Sequence, residues 1–224
     1  MKLICESYGI ELELEESTTT VLSIEDPSLF SNFVSGLWNQ SNGIESGFLL
    51  SNHGSAIDIG KKTEMLISPL MASANNKKVI TKLYQEIGQI ADEYYYEETA
   101  RINQSIVSYL DKITKHMPYP MEFNLDMKSI DLFKLYNVSL DENGTLTERL
   151  LSYIRAFHQI CSVSVFIILN IKQFISRNQL EELYRTLLYE KVYLLLVEGN
   201  YHGCYDNERN YIVDKDCCII NVSE

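Results

Sequence analysis

Two apolar runs near the end of the chain place the strongest constraint on its fold. Val163–Asn170 reads VSVFIILN and Val192–Val197 reads VYLLLV, and neither run alternates apolar with polar residues. Such a run is typical of a strand covered on both faces, as in parallel sheets. A helix with a capping box precedes each run, at Thr145-x-x-Glu148 and at Ser176-x-x-Gln179. The order helix, strand, helix, strand predicts an α/β fold with a mostly parallel sheet.

The first part of the chain adds short strands and one helix. Lys2–Leu14 predicts a β-hairpin, and Thr19–Ile24 predicts a further strand. Asp26 followed by Pro27 is typical of a helix start. The remaining strand candidates are Phe48–Leu50 and Met65–Ile67, which a polar loop separates, and the closing Cys217–Asn221.

Apolar spacing from about Lys77 to about Met117 predicts an almost unbroken helical stretch. At ~1.5 Å per residue, roughly forty residues would extend about 60 Å. A compact chain of this length has a radius of gyration of about 17 Å. The stretch therefore either breaks near Tyr94–Glu98 or forms an extended helical arm, and Pro118 and Pro120 end it.

The loop Ser68–Lys78 lies where a mononucleotide-binding α/β fold would hold phosphate. A phosphate loop needs glycines, so that successive N–H groups close on the oxygens, and then Lys and Ser or Thr. This loop has no glycine, and Pro69 removes a donor. Asn170 stands where a nucleotide hydrolase would place a magnesium-binding Asp, and an amide is a poor Mg²⁺ ligand. The sequence thus predicts the scaffold of a nucleotide-binding protein without its chemistry.

Charge and composition limit the classes of function. The net charge of −12, taken alone, argues against nucleic acid as a partner. No apolar run is long enough for a signal peptide or a membrane helix, so we expect a cytoplasmic protein with no membrane partner. The five cysteines have no metal-ligand spacing, and adjacent Cys217 and Cys218 would point to opposite faces of a strand. We expect them to be free thiols.

Lysines are concentrated in one short part of this acidic chain. Residues 61–82 contain one acid, Glu64, and five lysines: Lys61, Lys62, Lys77, Lys78 and Lys82. Lys78 and Lys82 lie one turn apart at the start of the long helix. Such lysines could hold phosphates without reading sequence, or they could form a solubilising face.

Two other groups of side chains could carry chemistry. Glu122, Asn124 and Asp126 would lie on one side of an extended segment, and oxygen ligands suit Ca²⁺ or Mg²⁺; a solvated loop is the alternative. His158 and Cys161 lie one turn apart on a helix, where core packing is favoured over a nucleophile and its base.

Several short segments carry a resemblance to a known family. They are VLSIEDPSLFSNFVSGLWNQ near the start, TEMLISPLMASANNKKVITKLYQEIGQI, IDLFKLYNVSL, and the later FIILNIKQFISRNQLEELYRTLLYEKVYLLLVEGN and NYIVDKD. In these segments and in the order of its elements, the chain resembles the Csn-two family of CRISPR-associated proteins. This family is the type II-A accessory subunit of spacer acquisition, and the similarity runs nearly end to end.

The resemblance implies a head domain related to P-loop nucleotide-binding folds, without nucleotide hydrolysis, and an inserted, extended α-helical leg domain. The implied boundaries are 1–75 for the first part of the head, 76–142 for the leg and 143–224 for the second part of the head. It also implies a homotetrameric ring, organised by Ca²⁺, with a positive hole that takes double-stranded DNA through free ends. The family is not known as an enzyme and works beside the integrase and nuclease proteins of CRISPR adaptation.

A few residues match the family individually. Lys82, in the word TKLY, falls where relatives have a lysine. Glu122 and Asp126 are the best matches to an acidic run of the relatives, which implies calcium ligands there together with Asn124. Charge alone makes the other lysines of residues 61–82 DNA-binding candidates.

The sequence therefore predicts a DNA-binding ring protein of CRISPR adaptation that is not an enzyme and does not read base sequence. Two alternatives remain. A divergent P-loop-type nucleotide-dependent enzyme is supported by the order of the elements. A protein-interaction scaffold without direct DNA binding is supported by the acidic composition.

Overall fold

The computed structural model describes residues 1–45, 47–216 and 218–222. The strands in these ranges are β1 (Lys2–Cys5), β2 (Ile10–Glu13), β3 (Thr19–Ile24), β4 (Phe48–Asn52), β5 (Ser55–Ile57), β6 (Thr63–Leu66), β7 (Val165–Leu169), β8 (Tyr193–Glu198), β9 (Glu208–Val213) and β10 (Ile219–Val222). The α-helices are α1 (Pro27–Ser41), α2 (Ile59–Lys62), α3 (Lys77–Tyr94), α4 (Tyr96–Thr114), α5 (Ser129–Leu135), α6 (Leu146–Cys161) and α7 (Arg177–Leu187).

Two compact units make up the chain. One consists of Met1–Ala74 with Glu142–Glu224, and the other of Asn75–Asp141. The first unit contains the strands β1–β10 and the helices α1, α2, α6 and α7, whereas the second contains α3, α4 and α5. The head and leg boundaries implied by the family resemblance, 1–75, 76–142 and 143–224, stay a prediction.

The larger sheet of the first unit has six strands in the order β10-β9-β3-β8-β7-β6. Neighbours from β9 to β6 run parallel, and β10 pairs antiparallel with β9 at one edge. Every residue of β7 is buried, as are all but the first of β8. Burial on both faces explains why these two strands lack polar alternation. The prediction of a mixed α/β fold with a largely parallel sheet is confirmed.

Local capping signals set the starts of three helices in this unit. At α1, the Asp26 side chain accepts the N–H of Leu29 at 2.7 Å, and proline follows at the first helical position. Thr145 and Ser176 form complete capping boxes at α6 and α7. All three starts were predictable because a cap depends on residues within one turn. No helix within the described ranges is long and apolar enough to span a membrane.

A second sheet of four antiparallel strands, in the order β2-β1-β4-β5, belongs to the same unit. β1 and β2 form the predicted hairpin, with Leu3 opposite Leu12. Gly9 ends the connecting turn at a φ of 63°, a backbone conformation that favours glycine. The buried residues of α1 share one hydrophobic core with residues of both sheets.

The structure differs from the sequence prediction between β4 and β6. A polar loop is predicted there, whereas the chain forms β5 and the four-residue helix α2. Such short elements are difficult to recognise because they show no periodicity. Strand β6 ends at Leu66, and Ile67, predicted to lie within it, is exposed. Cys217, predicted to begin the last strand, lies outside the described residues, and β10 begins at Ile219.

The helical stretch of the second unit divides at Tyr95. This residue has φ −126° and ψ 26°, so it ends α3 and precedes α4. The break that the sequence allows near Tyr94–Glu98 is therefore present, and the stretch is not one straight helix. Ser129 of α5 donates to the Asp92 carboxylate of α3 at 2.8 Å. The Asn75 side chain exchanges two hydrogen bonds with the backbone of Leu140, at 2.9 and 2.8 Å, and so ties the two ends of this unit together.

Candidate nucleic-acid interface

Lys61 and Lys62 lie in the last turn of α2, in the first unit. The Lys61 ammonium is 3.4 Å from the Asp58 carboxylate, and both side chains are largely exposed. The Lys62 ammonium donates to the backbone carbonyl of Ser162 at 3.0 Å, at the carboxyl end of α6. A cation is favourable there because the helix dipole is negative at its carboxyl end. Lys62 is thus engaged within its own unit, while Lys61 forms only a surface ion pair.

Lys77, Lys78 and Lys82 lie at the start of α3, in the second unit, and all three are exposed. The Asn76 side chain caps this helix by accepting the N–H of Lys78 at 2.9 Å. The first turn contains no acidic residue. The positive end of the helix dipole and three lysines therefore reinforce each other, which is the arrangement that favours phosphate.

Charge is divided unevenly between the two units. Residues 75–141 contain eight Lys and Arg against ten Asp and Glu, a net charge of −2. The remainder of the chain contains eleven against twenty-one, a net charge of −10. Most of the acidity of the chain thus lies in the unit without α3. The overall charge of −12 is a poor guide to the potential around the α3 lysines, because screening confines that potential to about 8 Å.

A groove of about 960 Å³ lies in the second unit among α3, α4 and residues 127–130. Its lining includes the carboxylates Asp92 and Glu93 and the single cation Lys128. This balance of charge is unfavourable for a phosphate backbone. The α3 lysines are not part of the lining, so the groove is separate from the candidate interface.

Glu122, Asn124 and Asp126 lie in an irregular, exposed segment of the second unit. The Asn124 side-chain oxygen accepts the N–H of Asp126 at 3.1 Å, which is a local turn contact. Calcium takes six to eight oxygen ligands. Among the described residues, no group of three His, Cys, Asp or Glu side chains is placed to hold a metal ion. The oxygen atoms of this segment are of the kind that calcium prefers. The described residues do not bring together enough of them to form a complete calcium site.

The loop Ser68–Lys78, which the sequence places at the phosphate position, does not follow an inner strand of the sheet. Ser68–Lys78 follows β6, which is an edge strand. Open α/β sheets bind ligands at the carboxyl ends of inner strands, where the direction of the connections reverses. Inner strand β3 is followed instead by Asp26, which caps α1, and by Pro27. The sequence interpretation of this loop as the phosphate position is therefore wrong.

Asn170 has a structural role at the carboxyl ends of β7 and β8. It adopts a φ of 51°, in the left-handed region, directly after β7. Its side-chain oxygen accepts the N–H of Gly199, which follows β8, at 2.9 Å. The residue thus joins the ends of two neighbouring strands. His158 is likewise engaged, because its Nδ1 lies 2.6 Å from the carbonyl of Val163, and Cys161 is buried.

A buried ionic network that the sequence reasoning missed lies beside Asn170. The Lys172 ammonium is 2.8 Å from the Glu208 carboxylate, and these side chains are 1% and 0% exposed. The Tyr184 hydroxyl of α7 donates to the same carboxylate at 2.7 Å. Glu198, the last residue of β8, is fully buried, and the N–H of Lys172 donates to it at 3.2 Å. A sequence signal exists for Glu198 alone, an acid that closes an otherwise apolar strand.

Burial sets the protonation of this network. It raises the pKa of Glu198 to about 7; the nearby Glu208 carboxylate acts in the same direction, while hydrogen bonding and charge at Lys172 act against it. Burial also raises the pKa of the Tyr184 hydroxyl well above its usual value, and the Glu208 carboxylate adds to this rise. Tyr184 therefore remains a neutral donor.

Comparison with known proteins gives one family. The family described as CRISPR-associated protein (Cas_Csn2) matches residues 40–217. No curated protein matches. Among solved structures, the chain is similar to a Pyrococcus furiosus protein that carries the provisional description of an ABC transporter ATP-binding protein. The identity is 13%, the match covers 90% of this chain and 88% of that one, and the TM-score is 0.38, a value at which the likeness supports no argument.

Proposed function

Because the chain belongs to the Cas_Csn2 family of CRISPR-associated proteins, we propose that it binds double-stranded DNA through free ends, without reading base sequence, during the acquisition of new spacers. The observation that carries this proposal is the family match over residues 40–217. The proposed partners are DNA, further copies of the chain, and the integrase and nuclease proteins of CRISPR adaptation. We assign no catalytic residue.

The α3 face supports DNA binding on physical grounds. Lys77, Lys78 and Lys82 are exposed at the positive end of an eighteen-residue helix. Contacts from lysines and helix N-termini to phosphate fix position on the duplex but carry no sequence information. This face is therefore suited to DNA of any sequence. Lys61 and Lys62 are further candidates; Lys61 is ion-paired with Asp58, and Lys62 donates to a backbone carbonyl.

A homotetrameric ring reconciles DNA binding with an acidic chain. If four copies direct their α3 lysines toward a central hole, the twelve lysines act together on a duplex within it, and screening limits the reach of other charges to about 8 Å. A closed ring also explains entry through free ends, because an unbroken circle cannot be threaded. The expected mass in solution is about four times the 25.8 kDa of one chain.

Calcium is the proposed ion of this assembly. Glu122, Asn124 and Asp126 offer the oxygen atoms that calcium prefers. Because the described chain does not supply a complete ligand set here, the remaining ligands would come from water or from another copy. Bound calcium would supply positive charge and cross-linking between segments, and so would help to organise the ring.

Charge reversal on α3 tests the proposed interface. The variant K77E/K78E/K82E is expected to bind linear double-stranded DNA at least tenfold more weakly at fixed salt. The slope of log affinity against log salt is expected to become shallower by the amount that corresponds to roughly three phosphate contacts. The measurement is a gel-shift titration with two unrelated sequences of equal length. The wild type is expected to bind the two sequences with equal affinity, because phosphate contacts do not discriminate between sequences.

A matched control carries the same change of charge elsewhere. R185E/K191E/K215E alters three exposed cations of the first unit and is expected to bind DNA like the wild type. If K77E/K78E/K82E binds as tightly as this control, the α3 interface is wrong. If K77E/K78E/K82E also supports normal spacer uptake, a protein-interaction scaffold becomes the better account of the function. The observation that favours such a scaffold is the net charge of −10 on the first unit.

A further inference from the structure

Residues 199–207, here called the strap, connect β8 to β9 without regular helix or strand. The strap begins at the carboxyl end of β8, and Asn170 after β7 binds its first N–H. Gly203 and Asn207 adopt φ values of 84° and 66°, so two left-handed residues shape its path. Because β8 and β9 both run parallel to β3, the strap leads from the carboxyl end of β8 past β3 to the amino end of β9.

Buried contacts with Lys172 and Glu208 hold the strap in place. The Lys172 ammonium lies 4.0 Å from the centre of the Tyr205 ring and 3.5 Å from the carbonyl of Gly203. The N–H of Tyr205 donates to the Glu208 carboxylate at 3.1 Å, so both members of the Lys172–Glu208 ion pair contact the strap. The Arg177 guanidinium lies 4.8 Å from the centre of the same ring.

One oxygen of this network is without a donor. Glu198 is fully buried; one of its carboxylate oxygens accepts the N–H of Lys172, and the other has no hydrogen-bond partner. His202 of the strap lies 3.7 Å from that second oxygen, and its side chain is 29% exposed. A buried carboxylate with an unmatched oxygen is costly, whereas a protonated carboxyl removes the charge. His202 is the partly exposed group through which a proton would reach it.

The charged and titratable groups around Glu198 come from four elements. Lys172 follows β7, Glu208 begins β9, His202 and Tyr205 belong to the strap, and Tyr184 belongs to α7. Farther out, Arg177 and Glu181 of α7 pair with each other, and Arg177 also reaches Asp206 of the strap. On the neighbouring strand β3, the residue in register with Glu198 is the neutral Ser23. Lys172 and Glu208 neutralise each other, so an ionised Glu198 adds an unbalanced negative charge.

We propose that Glu198 is a proton-operated lock, which keeps the strap closed against the Lys172–Glu208 pair while protonated and loosens the strap when it ionises. His202 relays the proton between solvent and the buried carboxyl. This device is independent of the proposed DNA binding.

The direction of the pH effect follows from the raised pKa. Glu198 has a pKa of about 7 in the folded protein, against 4.5 for the unperturbed group. The folded, closed state therefore binds the proton more tightly than the open state. The resulting stabilisation of closure is complete below about pH 4.5 and is lost as the pH rises through about 7. Since each pKa unit corresponds to a tenfold change, loosening of at least about tenfold is expected over this window.

Hydrogen exchange of the whole chain, followed by mass spectrometry, tests the lock. Protection of the strap amides, corrected for the intrinsic effect of pH, is compared between about pH 5.5 and pH 8.5, with the amides of β7 as internal reference. In the wild type, strap protection is expected to fall at least tenfold relative to β7. E198Q keeps the shape of the side chain but cannot ionise, so its strap protection is expected to stay constant across the same range.

E190Q is the matched control, because Glu190 pairs with Arg155 and lies outside the network. It is expected to behave like the wild type. Thermal unfolding of each variant at both pH values establishes that the chain remains folded. Constant strap protection in the wild type, or the same fall with pH in E198Q as in the wild type, would overturn the proposal.

Discussion

At the scale of single residues, the ion pair between Lys172 and Glu208 is a contact whose contribution follows from its burial. Both side chains are almost completely buried, and the carboxylate also accepts hydrogen bonds from the Tyr184 hydroxyl, the Tyr205 N–H and the Asn210 side-chain amide. Breaking a buried pair by removing one partner is costly, because the other charge stays buried without compensation. A comparable pair at the surface contributes little, since water replaces the partner.

Replacement of Lys172 by Met tests this difference. K172M is expected to lower the free energy of unfolding by about 3–5 kcal/mol, because Glu208 loses its cation in a dry environment. R155M, which removes one partner of the partly exposed Arg155–Glu190 pair, is expected to cost less than about 1 kcal/mol. Urea denaturation measures both values. Equal costs for the two variants would show that the Lys172–Glu208 pair is not the strong contact inferred from its burial.

Residues differ in how well the sequence predicts their roles. The caps at Asp26, Thr145 and Ser176 were predictable because each depends on residues within one turn. The network of Lys172 and Glu208 was not, because its members are thirty-six positions apart and meet only once the strand order is known. Asn170 was recognised as a special position, but its binding of the Gly199 N–H could not be predicted without the neighbouring strand.

At the scale of elements, the length of a segment decided how well it could be predicted. The helical pattern of Lys77–Met117 was visible because eighteen- and nineteen-residue helices show a clear period, and a break near Tyr94–Glu98 was one of the two alternatives that the sequence left open. Elements β5 and α2 were missed because three and four residues do not. The position of β6 at a sheet edge, which removes the phosphate-loop interpretation, depends on strand order and not on local sequence.

The second unit offers a direct test of how its ends are joined. N75A removes both side-chain hydrogen bonds to Leu140, so the opening free energy of α3 and α5 is expected to fall by about 1–3 kcal/mol. Native-state hydrogen exchange measures this opening. N103A is the matched control, since Asn103 makes one exposed hydrogen bond, to the carbonyl of Leu125, and its loss is expected to change little. Opening of α3 and α5 that is no easier in N75A than in N103A would contradict the role assigned to Asn75.

At the scale of the whole molecule, the fold class and the family are shown, whereas the assembly is proposed. The sequence predicted the mixed α/β fold and the family, because both depend on patterns distributed along the chain. Ring closure, calcium ligation and the direction of the lysines toward a hole depend on several copies, so they remain proposals. Their common consequence is that binding should depend on DNA ends and not on base sequence.

The most direct test of this account compares one plasmid in two forms, closed circular and cut once, in gel-shift titrations with calcium and with a chelator. Since only the cut form has ends, it is expected to bind at least tenfold more tightly than the closed circle in calcium, and the chelator is expected to weaken that binding. Equal binding of both forms, or binding of neither, would contradict the proposal of a ring that threads onto DNA ends.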